Sequence, residues 1–343
     1  MTDKIKIGLD AMGGDKAPVS IVEGAILASR DRKADYEVVL VGDRGRIQRE
    51  LERLGISSAP PFEIVHASEV INMDEPAAEA ARKKKDSSLA VGLRMEKEGK
   101  IDGFVSGGNT GAVMATALLT LGHLQGVDRP AIASYFPTEK GVAVVLDVGA
   151  NADCKARNLY EFAVMGSIYT SYILKRENPR VGLLSIGEES TKGNELTLVS
   201  YRLLSESKLN FMGNVEGHDV LKGTCDVVVC DGFVGNIMLK FAESIESFFY
   251  FLIKEELRRS ILFRTGAFLL KYPLRSMRKA LNYAEYGGAP LLGVDGVCII
   301  CHGKSSPKAI KNAIKLASRM VREKVNEHIK EGLKDSNQLE GEK

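Results

Sequence analysis

Six times along the chain, an apolar run of β-strand type leads into a short loop rich in Gly and Asn, and a helical pattern follows. The loops span residues 10–15, 106–111, 147–153, 187–194, 231–236 and 302–306. Each loop offers unpaired backbone N–H groups at the start of a helix, where small side chains let an anion approach the main chain. The recurrence predicts a site for a negatively charged ligand.

The strand-type runs are mostly apolar on both faces, and helical patterns separate them. This arrangement is typical of a mainly parallel sheet covered by helices on both sides, so we expect a three-layer α/β/α fold. Ligands of such folds bind beyond the carboxyl ends of the strands, and the loops should therefore converge on one cleft. We also expect one strand at 131–136 and single helices at 76–98 and 307–329.

No linker or fixed-period repeat divides the chain. We therefore expect residues 1–331 to form a single catalytic domain with two lobes that share one sheet. A helical hairpin at about 237–284 is expected to protrude from this domain. Residues 332–343 are polar, and we expect them to form a flexible tail.

Composition argues against several functional classes. Lys and Arg total 47 against 45 Asp and Glu, so the chain lacks the basic excess typical of nucleic-acid-binding proteins. The chain enters a strand pattern without an apolar signal segment, and no apolar run approaches the ~18 residues of a membrane span. We expect a cytoplasmic protein with reduced thiols, in which Cys298 and Cys301 pack on opposite faces of a strand.

The loops carry neither the dinucleotide-binding nor the P-loop arrangement of glycines. In the 187–194 loop, Lys192 could bind a phosphate oxygen or stabilise an oxyanion. The alternative is a surface lysine paired with Glu188 or Glu189. No His or Asp cluster at ligand spacing supports a metal at these glutamates, and we expect neither a metal nor a cofactor.

Polar side chains recur at the other strand ends. Asn109, Asn151 and Asn236 each lie beside glycines near the start of a helix, where a carboxamide can donate to phosphate or to a carbonyl. The same side chains also cap helices, and the sequence does not separate the two roles. His302 could act as a general acid or base.

A basic amphipathic segment follows an apolar helical pattern that begins at residue 234. No acidic residue occurs between Arg258 and Ala284. The basic and apolar residues that we expect to make contacts are Arg258, Arg259, Phe263, Arg264, Phe268, Leu269, Leu270 and Lys271. Such a segment is typical of a contact with an anionic membrane surface or an acidic protein, and the alternative is a helical dimer interface.

Taken in order, the loop sequences resemble those of one family. The blocks are Asp10-Ala-Met-Gly-Gly-Asp15, Ser106-Gly-Gly-Asn-Thr-Gly-Ala112, Leu146-Asp-Val-Gly-Ala-Asn151, Gly187-Glu-Glu with Lys192-Gly-Asn194, Asp231-Gly-Phe-Val-Gly-Asn236, and Leu292-Gly-Val-Asp-Gly296 with His302-Gly303. In these blocks the chain is similar to the bacterial acyl-carrier-protein:phosphate acyltransferases of phospholipid synthesis, the PlsX type. The likeness extends over nearly the whole chain, to about Glu331.

The resemblance implies a homodimer with a fold similar to isocitrate and isopropylmalate dehydrogenases and to phosphate acetyltransferase. The implied reaction moves a fatty acyl group from the phosphopantetheine thioester of acyl carrier protein to inorganic phosphate. A membrane-bound acyltransferase would then pass the acyl group from acyl phosphate to glycerol 3-phosphate. Peripheral association with the inner face of the cell membrane is also implied.

This reaction requires the enzyme to hold phosphate against the thioester carbonyl and to stabilise the tetrahedral oxyanion. It requires no protein nucleophile, because phosphate is already a nucleophile and a thiolate is an adequate leaving group. We expect Lys192 to stabilise phosphate or the oxyanion, and Asn236 to position the carbonyl or phosphate. The residues expected to bind phosphate or substrate are Asp10, Gly13, Gly14, Gly108, Asn109, Thr110, Asn151, Gly187, Glu188, Asn194 and His302. The alternatives are a short-chain enzyme that uses acyl-coenzyme A and a non-catalytic scaffold for acyl carrier protein at the membrane.

Overall fold

The computed structural model describes residues 4–31, 34–56, 62–259 and 287–340, in which twelve strands and eleven helices occur. The strands are β1 (Ile5–Asp10), β2 (Tyr36–Gly42), β3 (Glu63–His66), β4 (Gly103–Ser106), β5 (Ala131–Ile132), β6 (Ser134–Thr138), β7 (Gly141–Leu146), β8 (Val181–Leu184), β9 (Phe211–Val215), β10 (Val227–Val229), β11 (Ala289–Leu292) and β12 (Cys298–Ile300). The helices are α1 (Val19–Ser29), α2 (Arg44–Arg53), α3 (Ala77–Lys83), α4 (Ser88–Lys97), α5 (Thr110–Thr120), α6 (Ala156–Leu174), α7 (Glu195–Ser205), α8 (Gly217–Lys222), α9 (Gly232–Arg259), α10 (Pro307–Arg322) and α11 (Val325–Glu340).

The strands form two sheets, one for each lobe. The larger has seven strands in the order β3-β2-β1-β4-β12-β11-β5, and the smaller has five in the order β6-β7-β10-β8-β9. Pairing is parallel except around β11 and between β6 and β7. The predicted mainly parallel α/β architecture is confirmed.

The expectation that both lobes share one sheet is wrong, and the reason lies at Ala133. The predicted strand at 131–136 divides there into β5 and β6, which belong to different sheets. The Ala133 N–H group donates to the carbonyl oxygen of Pro290 at 3.0 Å. An apolar run does not reveal such a change of backbone partners, because its side chains stay buried on both sides of the break.

Helices cover both faces of the sheets, as the apolar strands predict. Neighbouring strand residues alternate between two buried clusters; for example, Val227 and Val229 belong to one and Val228 to the other. Cys301 and Cys298 are divided between the clusters in the same way, so they pack on opposite faces as predicted. Each cluster draws residues from both lobes, which joins the lobes through a continuous apolar interior.

Two of the predicted helices are each divided in two. The pattern at 76–98 is interrupted because the Ser87 hydroxyl accepts a hydrogen bond from the Ala90 N–H group at 3.3 Å and caps a new helix, α4. The pattern at 307–329 is interrupted after Arg322, and Lys324 has a φ of +47°. The second piece, α11, continues to Glu340, so most of the predicted 332–343 tail is helical.

Helix α9 contains 28 residues and forms the described part of the predicted hairpin. Arg258 is exposed on its last turn, where it bonds to Glu255. The other predicted contact residues after the end of α9 lie outside the described residues: Phe263, Arg264, Phe268, Leu269, Leu270 and Lys271. Within the described ranges, none of the helices combines the length and apolar character that crossing a bilayer requires.

The carboxyl group of Glu96 is buried at the edge of the larger sheet that lies opposite the loops. Its Oε1 accepts a hydrogen bond from the Val297 N–H group at 2.6 Å, whereas its Oε2 is buried with no hydrogen-bond partner. Burial, aided by the nearby carboxylates of Asp102 and Asp295, raises the pKa of Glu96 to about 8. The folded protein therefore favours the protonated form.

We expect Glu96→Gln to weaken the pH dependence of stability. Because the folded-state pKa of Glu96 lies above its unfolded value of 4.5, stabilisation present at acid pH is lost as the pH rises through about 8. Between about pH 6 and about pH 9, the native chain should lose about 2 kcal/mol more unfolding free energy than the variant in urea denaturation. Exposed Glu98 supplies a matched control, Glu98→Gln, which should follow the native profile. Parallel profiles for all three proteins would contradict this account.

Candidate active site

A cleft of about 420 Å³ lies where the carboxyl edges of the two sheets meet. The start of α5, the end of β12, the loop after β7 and the first turns of α9 form its walls. Its polar and flanking residues include Thr110, Gly111, Ser134, Gly149, Asn236, Lys240, Glu243 and His302. The cleft therefore occupies the position that the parallel strands predict for a ligand site.

In the larger lobe, the buried carboxylate of Asp10 ties two of the loops together. The Met12 N–H group donates to Asp10 Oδ1 at 3.1 Å, and the Ser106 hydroxyl donates to Oδ2 at 2.7 Å. The Gly108 N–H group donates in turn to the Ser106 hydroxyl at 3.0 Å. Burial raises the pKa of Asp10, and these hydrogen bonds oppose that shift. Asp10 thus organises the loops and does not line the cleft.

Gly14 lies where three of the loops converge. Its φ is +109°, and a Cβ at this position would lie 3.0 Å from the Gly303 carbonyl oxygen and 3.1 Å from that of Gly107. The Asp15 N–H group also donates to the Gly303 oxygen at 2.9 Å. The loops at 10–15, 106–111 and 302–306 therefore meet as predicted, and Gly14 permits their close approach.

In the smaller lobe, the buried carboxylate of Asp147 gathers the donors of its own loop. Its Oδ1 accepts hydrogen bonds from the N–H groups of Ile132, Gly149 and Ala150 at 3.0, 3.1 and 3.0 Å. Its Oδ2 accepts from the backbone and side-chain nitrogens of Asn151 at 2.7 and 3.0 Å. Burial raises the pKa of Asp147, against the effect of these bonds.

Helix α9 begins in direct contact with this loop. The Gly232 N–H group donates to the Asn151 carbonyl oxygen at 2.8 Å. A Cβ at Gly235 would lie 1.9 Å from the Asp147 carbonyl oxygen, so only glycine allows the helix to pack this closely. Asp147 and its loop therefore fix the position of the first turns of α9 at the wall of the cleft.

Asn109 has a structural role in the loop after β4. Its Oδ1 accepts from the Ala112 N–H group at 3.1 Å and caps α5. Its Nδ2 donates to the carbonyl oxygens of Met73 and Glu75 at 2.9 and 3.3 Å. For Asn109, the capping alternative is the one the structure supports.

The other three asparagines differ in whether their side chains are hydrogen-bonded within the protein. Asn151 Nδ2 donates to the Pro130 carbonyl oxygen at 2.7 Å, and Asn194 caps α7 by accepting from the Thr197 N–H group at 2.9 Å. Asn236 alone among the four lines the cleft, and its carboxamide makes no hydrogen bond to another described residue. Asn236 is therefore the one available to a ligand there.

Lys192 does not line the cleft that contains Asn236. The lysine is exposed, and its side chain folds over Gly187, where a Cβ would lie 2.9 Å from Lys192 Cγ. Among the described residues, its ammonium group forms no ion pair, so the predicted alternative of pairing with Glu188 or Glu189 is not realised there. A catalytic role for Lys192 stays a prediction.

Of the predicted site residues, Thr110, Asn236 and His302 line the cleft. Asn194 lines a second cavity of about 560 Å³, beyond the first turns of α9. The residues that line neither cavity are Asp10, Gly13, Gly14, Gly108, Asn109, Asn151, Gly187, Glu188 and Lys192. Residues of the loops at 106–111, 147–153, 231–236 and 302–306 line the cleft, whereas no residue of the loops at 10–15 and 187–194 does. The six loops therefore do not all converge on one cleft as expected, because the 187–194 loop borders the second cavity.

Sequence reasoning missed two charged residues of the cleft. Lys240 and Glu243 follow Asn236 by four and seven positions, so all three share one face of α9. Among the described residues, neither charged group has an ion-pair partner. Helical spacing from Asn236 indicates both residues, but the many apolar residues of α9 favoured an interpretation as packing or membrane contact.

Two further groups bear on the chemistry. The Lys304 N–H group donates to Nδ1 of His302 at 3.0 Å, so the neutral imidazole carries its proton on Nε2. Burial raises the pKa of the Cys154 thiol to about 11, which does not suit a thiolate nucleophile.

Glu216, His218 and Asp219 are the one group of described side chains close enough together to hold a metal ion. None of the three lines the cleft. Asp219 is already engaged with the Glu216 N–H group and with Lys222.

Comparison with known proteins places this arrangement in a family. A family model described as "Fatty acid synthesis protein" matches residues 5–328. The phosphate acyltransferase of Heliobacterium modesticaldum is 54% identical over 308 residues, which cover 90% of this chain and 91% of that protein. The chain belongs to the phosphate acyltransferase family. The phosphate acyltransferase of Moorella thermoacetica is 50% identical over 308 residues, or 90% of each chain. The resemblance in the loop sequences is confirmed, and the chain is an enzyme of the transferase class.

Solved structures agree with this family at the level of the fold. The EutD phosphotransacetylase from Staphylococcus aureus superposes with a TM-score of 0.62 at 17% identity, covering 93% of this chain and 94% of that one. A phosphotransacetylase from Streptococcus pyogenes gives a TM-score of 0.61 at 19% identity, covering 94% and 95% of the two chains. The chain thus shares its overall α/β fold with these two phosphotransacetylases.

We expect Asp147→Ala to destabilise the smaller lobe. Its loop N–H groups would lose a shared acceptor inside the protein, so the free energy of unfolding should fall by roughly 3 kcal/mol in urea denaturation. Asp153 lies in the same loop but is exposed, and Asp153→Ala should change stability little. Equal stability of the two variants would show that Asp147 does not organise this loop.

Proposed function

We propose that the enzyme transfers a fatty acyl group from the thioester of acyl carrier protein to inorganic phosphate and releases acyl phosphate. The observation that carries the proposal is the shared cleft, in which the start of α5 faces Asn236 and Lys240 of α9. Helix starts and Lys240 favour an anion, the charge of Glu243 on the next turn opposes it, and Asn236 adds a neutral donor. Family membership supports an acyl group and phosphate as the reacting partners.

In this proposal, phosphate binds between the start of α5 and the exposed face of α9. Thr110 and Gly111 supply backbone and hydroxyl donors, and Lys240 supplies a positive charge. His302 lines the same cleft. We assign phosphate binding to Lys240 and not to Lys192, which does not line the cleft.

The reaction requires no nucleophile from the protein. A phosphate oxygen attacks the thioester carbonyl carbon, and the new C–O bond gives a tetrahedral oxyanion. The C–S bond then breaks, the carbonyl re-forms, and the thiolate takes the proton that hydrogen phosphate carried. The protein lowers the barrier by holding the two reactants together and by stabilising the oxyanion.

We further propose that the enzyme acts as a homodimer at the inner surface of the membrane and hands acyl phosphate to a membrane-bound glycerol-3-phosphate acyltransferase. Support comes from the carboxyl-terminal half of α9, where large apolar side chains are exposed: Phe248, Phe249, Phe251, Leu252 and Ile253. So much exposed apolar surface on one helix is typical of a face covered by protein or lipid. The basic segment that follows α9 in the sequence favours an anionic lipid surface.

The activity and its phosphate site are tested together by following thiol release from palmitoyl-acyl carrier protein, with and without phosphate. The proposal predicts release that depends on phosphate and is faster than with acetyl-coenzyme A. We expect Lys240→Gln to raise KM for phosphate by about tenfold or more, because one charge-assisted contact is lost. Exposed Lys254 follows Lys240 on α9 and lines neither cavity, so Lys254→Gln is the matched control.

Release that ignores phosphate would contradict the proposed reaction. Preference for acetyl-coenzyme A would instead favour the short-chain alternative. An unchanged KM for phosphate in Lys240→Gln, with release still dependent on phosphate, would contradict a phosphate site at Lys240 of α9.

Membrane association is tested by sedimentation with liposomes that contain anionic lipids. Binding should fall as salt is added, because charge screening weakens the attraction of basic residues to lipid. Replacing Leu269 and Leu270 with Glu should reduce binding further, since these residues belong to the predicted contact segment. Full liposome binding by this variant, with its oligomeric state unchanged, would contradict a membrane role for the segment.

A further inference from the structure

The second cavity lies on the opposite side of α9 from the cleft. It has a volume of about 560 Å³ and is bounded by the loop after β8, the start of α7 and the first turns of α9. Its apolar wall includes Leu159, Leu184, Ile186, Val234, Ile237 and Phe241. We refer to this cavity as the α9 groove.

The first turns of α9 form a wall shared by the two cavities. Asn236 and Lys240 face the cleft, whereas Val234, Ile237 and Phe241 face the α9 groove. The latter three follow one another at intervals of three and four residues, as expected for one side of a helix. Val234 of the groove and Asn236 of the cleft both belong to the first turns of α9, so a molecule in the groove comes nearest to the cleft at this end of the helix.

Several apolar side chains of the groove are exposed to solvent. Ile186 is 79% exposed, Phe241 is 66% exposed and Ile237 is 54% exposed. Single exposed apolar residues are common, but a contiguous group lining a concave surface indicates a binding site. The occupant should therefore be largely apolar.

One end of the groove is polar. The Asn194 carboxamide caps α7 there. Asp231 also contributes to this end, and its Oδ1 accepts from the Val234 N–H group at 2.9 Å. The starts of α7 and α9 both meet this end of the groove, and their backbone N–H groups favour an electron-rich head group there.

We propose that the α9 groove binds the fatty acyl chain of the thioester, with its carbonyl group at the polar end, where α7 and α9 begin. The inference rests on the proposed function and names the place of its apolar substrate. A long acyl thioester matches the groove in both polarity and shape, because it joins an apolar tail to an electron-rich carbonyl. The volume lies within the range of small-molecule sites, which favours an acyl chain over the face of a second copy of the chain.

The test fills the groove and measures chain-length preference. Ile237→Trp places a larger side chain in the apolar wall, while Phe233→Trp makes a similar change at an exposed α9 residue that lines neither cavity. At saturating phosphate, Ile237→Trp should lower kcat/KM for palmitoyl-acyl carrier protein by about tenfold relative to the octanoyl form. Phe233→Trp should keep the native ratio.

Binding without turnover provides a second measurement. Direct fluorescence of cis-parinaric acid, a fatty acid probe, should report binding to the native protein and to Phe233→Trp, and loss of binding in Ile237→Trp. If native turnover does not depend on phosphate but this pattern is seen, the proposed reaction fails and the acyl site stands.

Three results would overturn the inference. One is an unchanged ratio of palmitoyl to octanoyl kcat/KM in Ile237→Trp. Another is binding of cis-parinaric acid by Ile237→Trp with native affinity. The third is conversion of the native oligomer to a smaller species by Ile237→Trp in light scattering, which would make the groove an interface between copies of the chain.

Discussion

The site depends on buried carboxylates that collect backbone N–H groups at the carboxyl ends of the strands. Asp147 receives five hydrogen bonds, four from its own loop and one from Ile132. Asp10 ties the first loop of the larger lobe to Ser106 in the same manner. A loop held by a buried acceptor keeps a fixed shape without ligand, which preorganises the binding groups around it. These carboxylates therefore contribute to the proposed catalysis through geometry, although they do not face the cleft.

The rigid loops determine where α9 begins, and α9 in turn divides the site. Because Gly235 packs against the Asp147 carbonyl oxygen, the first turns of α9 stand between two cavities of different character. The polar side carries Asn236 and Lys240, and the other side is apolar. This separation suits a reaction that joins a dianion to the carbonyl of a long hydrocarbon chain, since each reactant needs an environment that would disfavour the other.

Local sequence signals predicted the parts of the fold that depend on neighbouring residues. The strand-loop-helix units, and the convergence of four of their loops on one cleft, follow from periodicity and from the geometry of parallel strands. The change of sheet at Ala133 was not predictable, because it depends on a backbone bond to distant Pro290. Nor could the sequence separate a capping Asn109 from an available Asn236, since both are the same residue type at a helix start. The sequence did not indicate Lys240, because its role depends on which side of α9 faces the cleft.

Hydrogen exchange with and without phosphate, followed by mass spectrometry, tests the central claim most directly: phosphate binds in the cleft between the lobes. Saturating phosphate should slow exchange in peptides that cover 107–112 at the start of α5 and 232–240 at the start of α9. A control buffer of equal ionic strength that contains neither phosphate nor sulfate should not slow exchange there. Binding would slow exchange there because it orders and covers backbone N–H groups at the two helix starts. Protection confined to other segments, or none at phosphate concentrations that saturate turnover, would contradict the account.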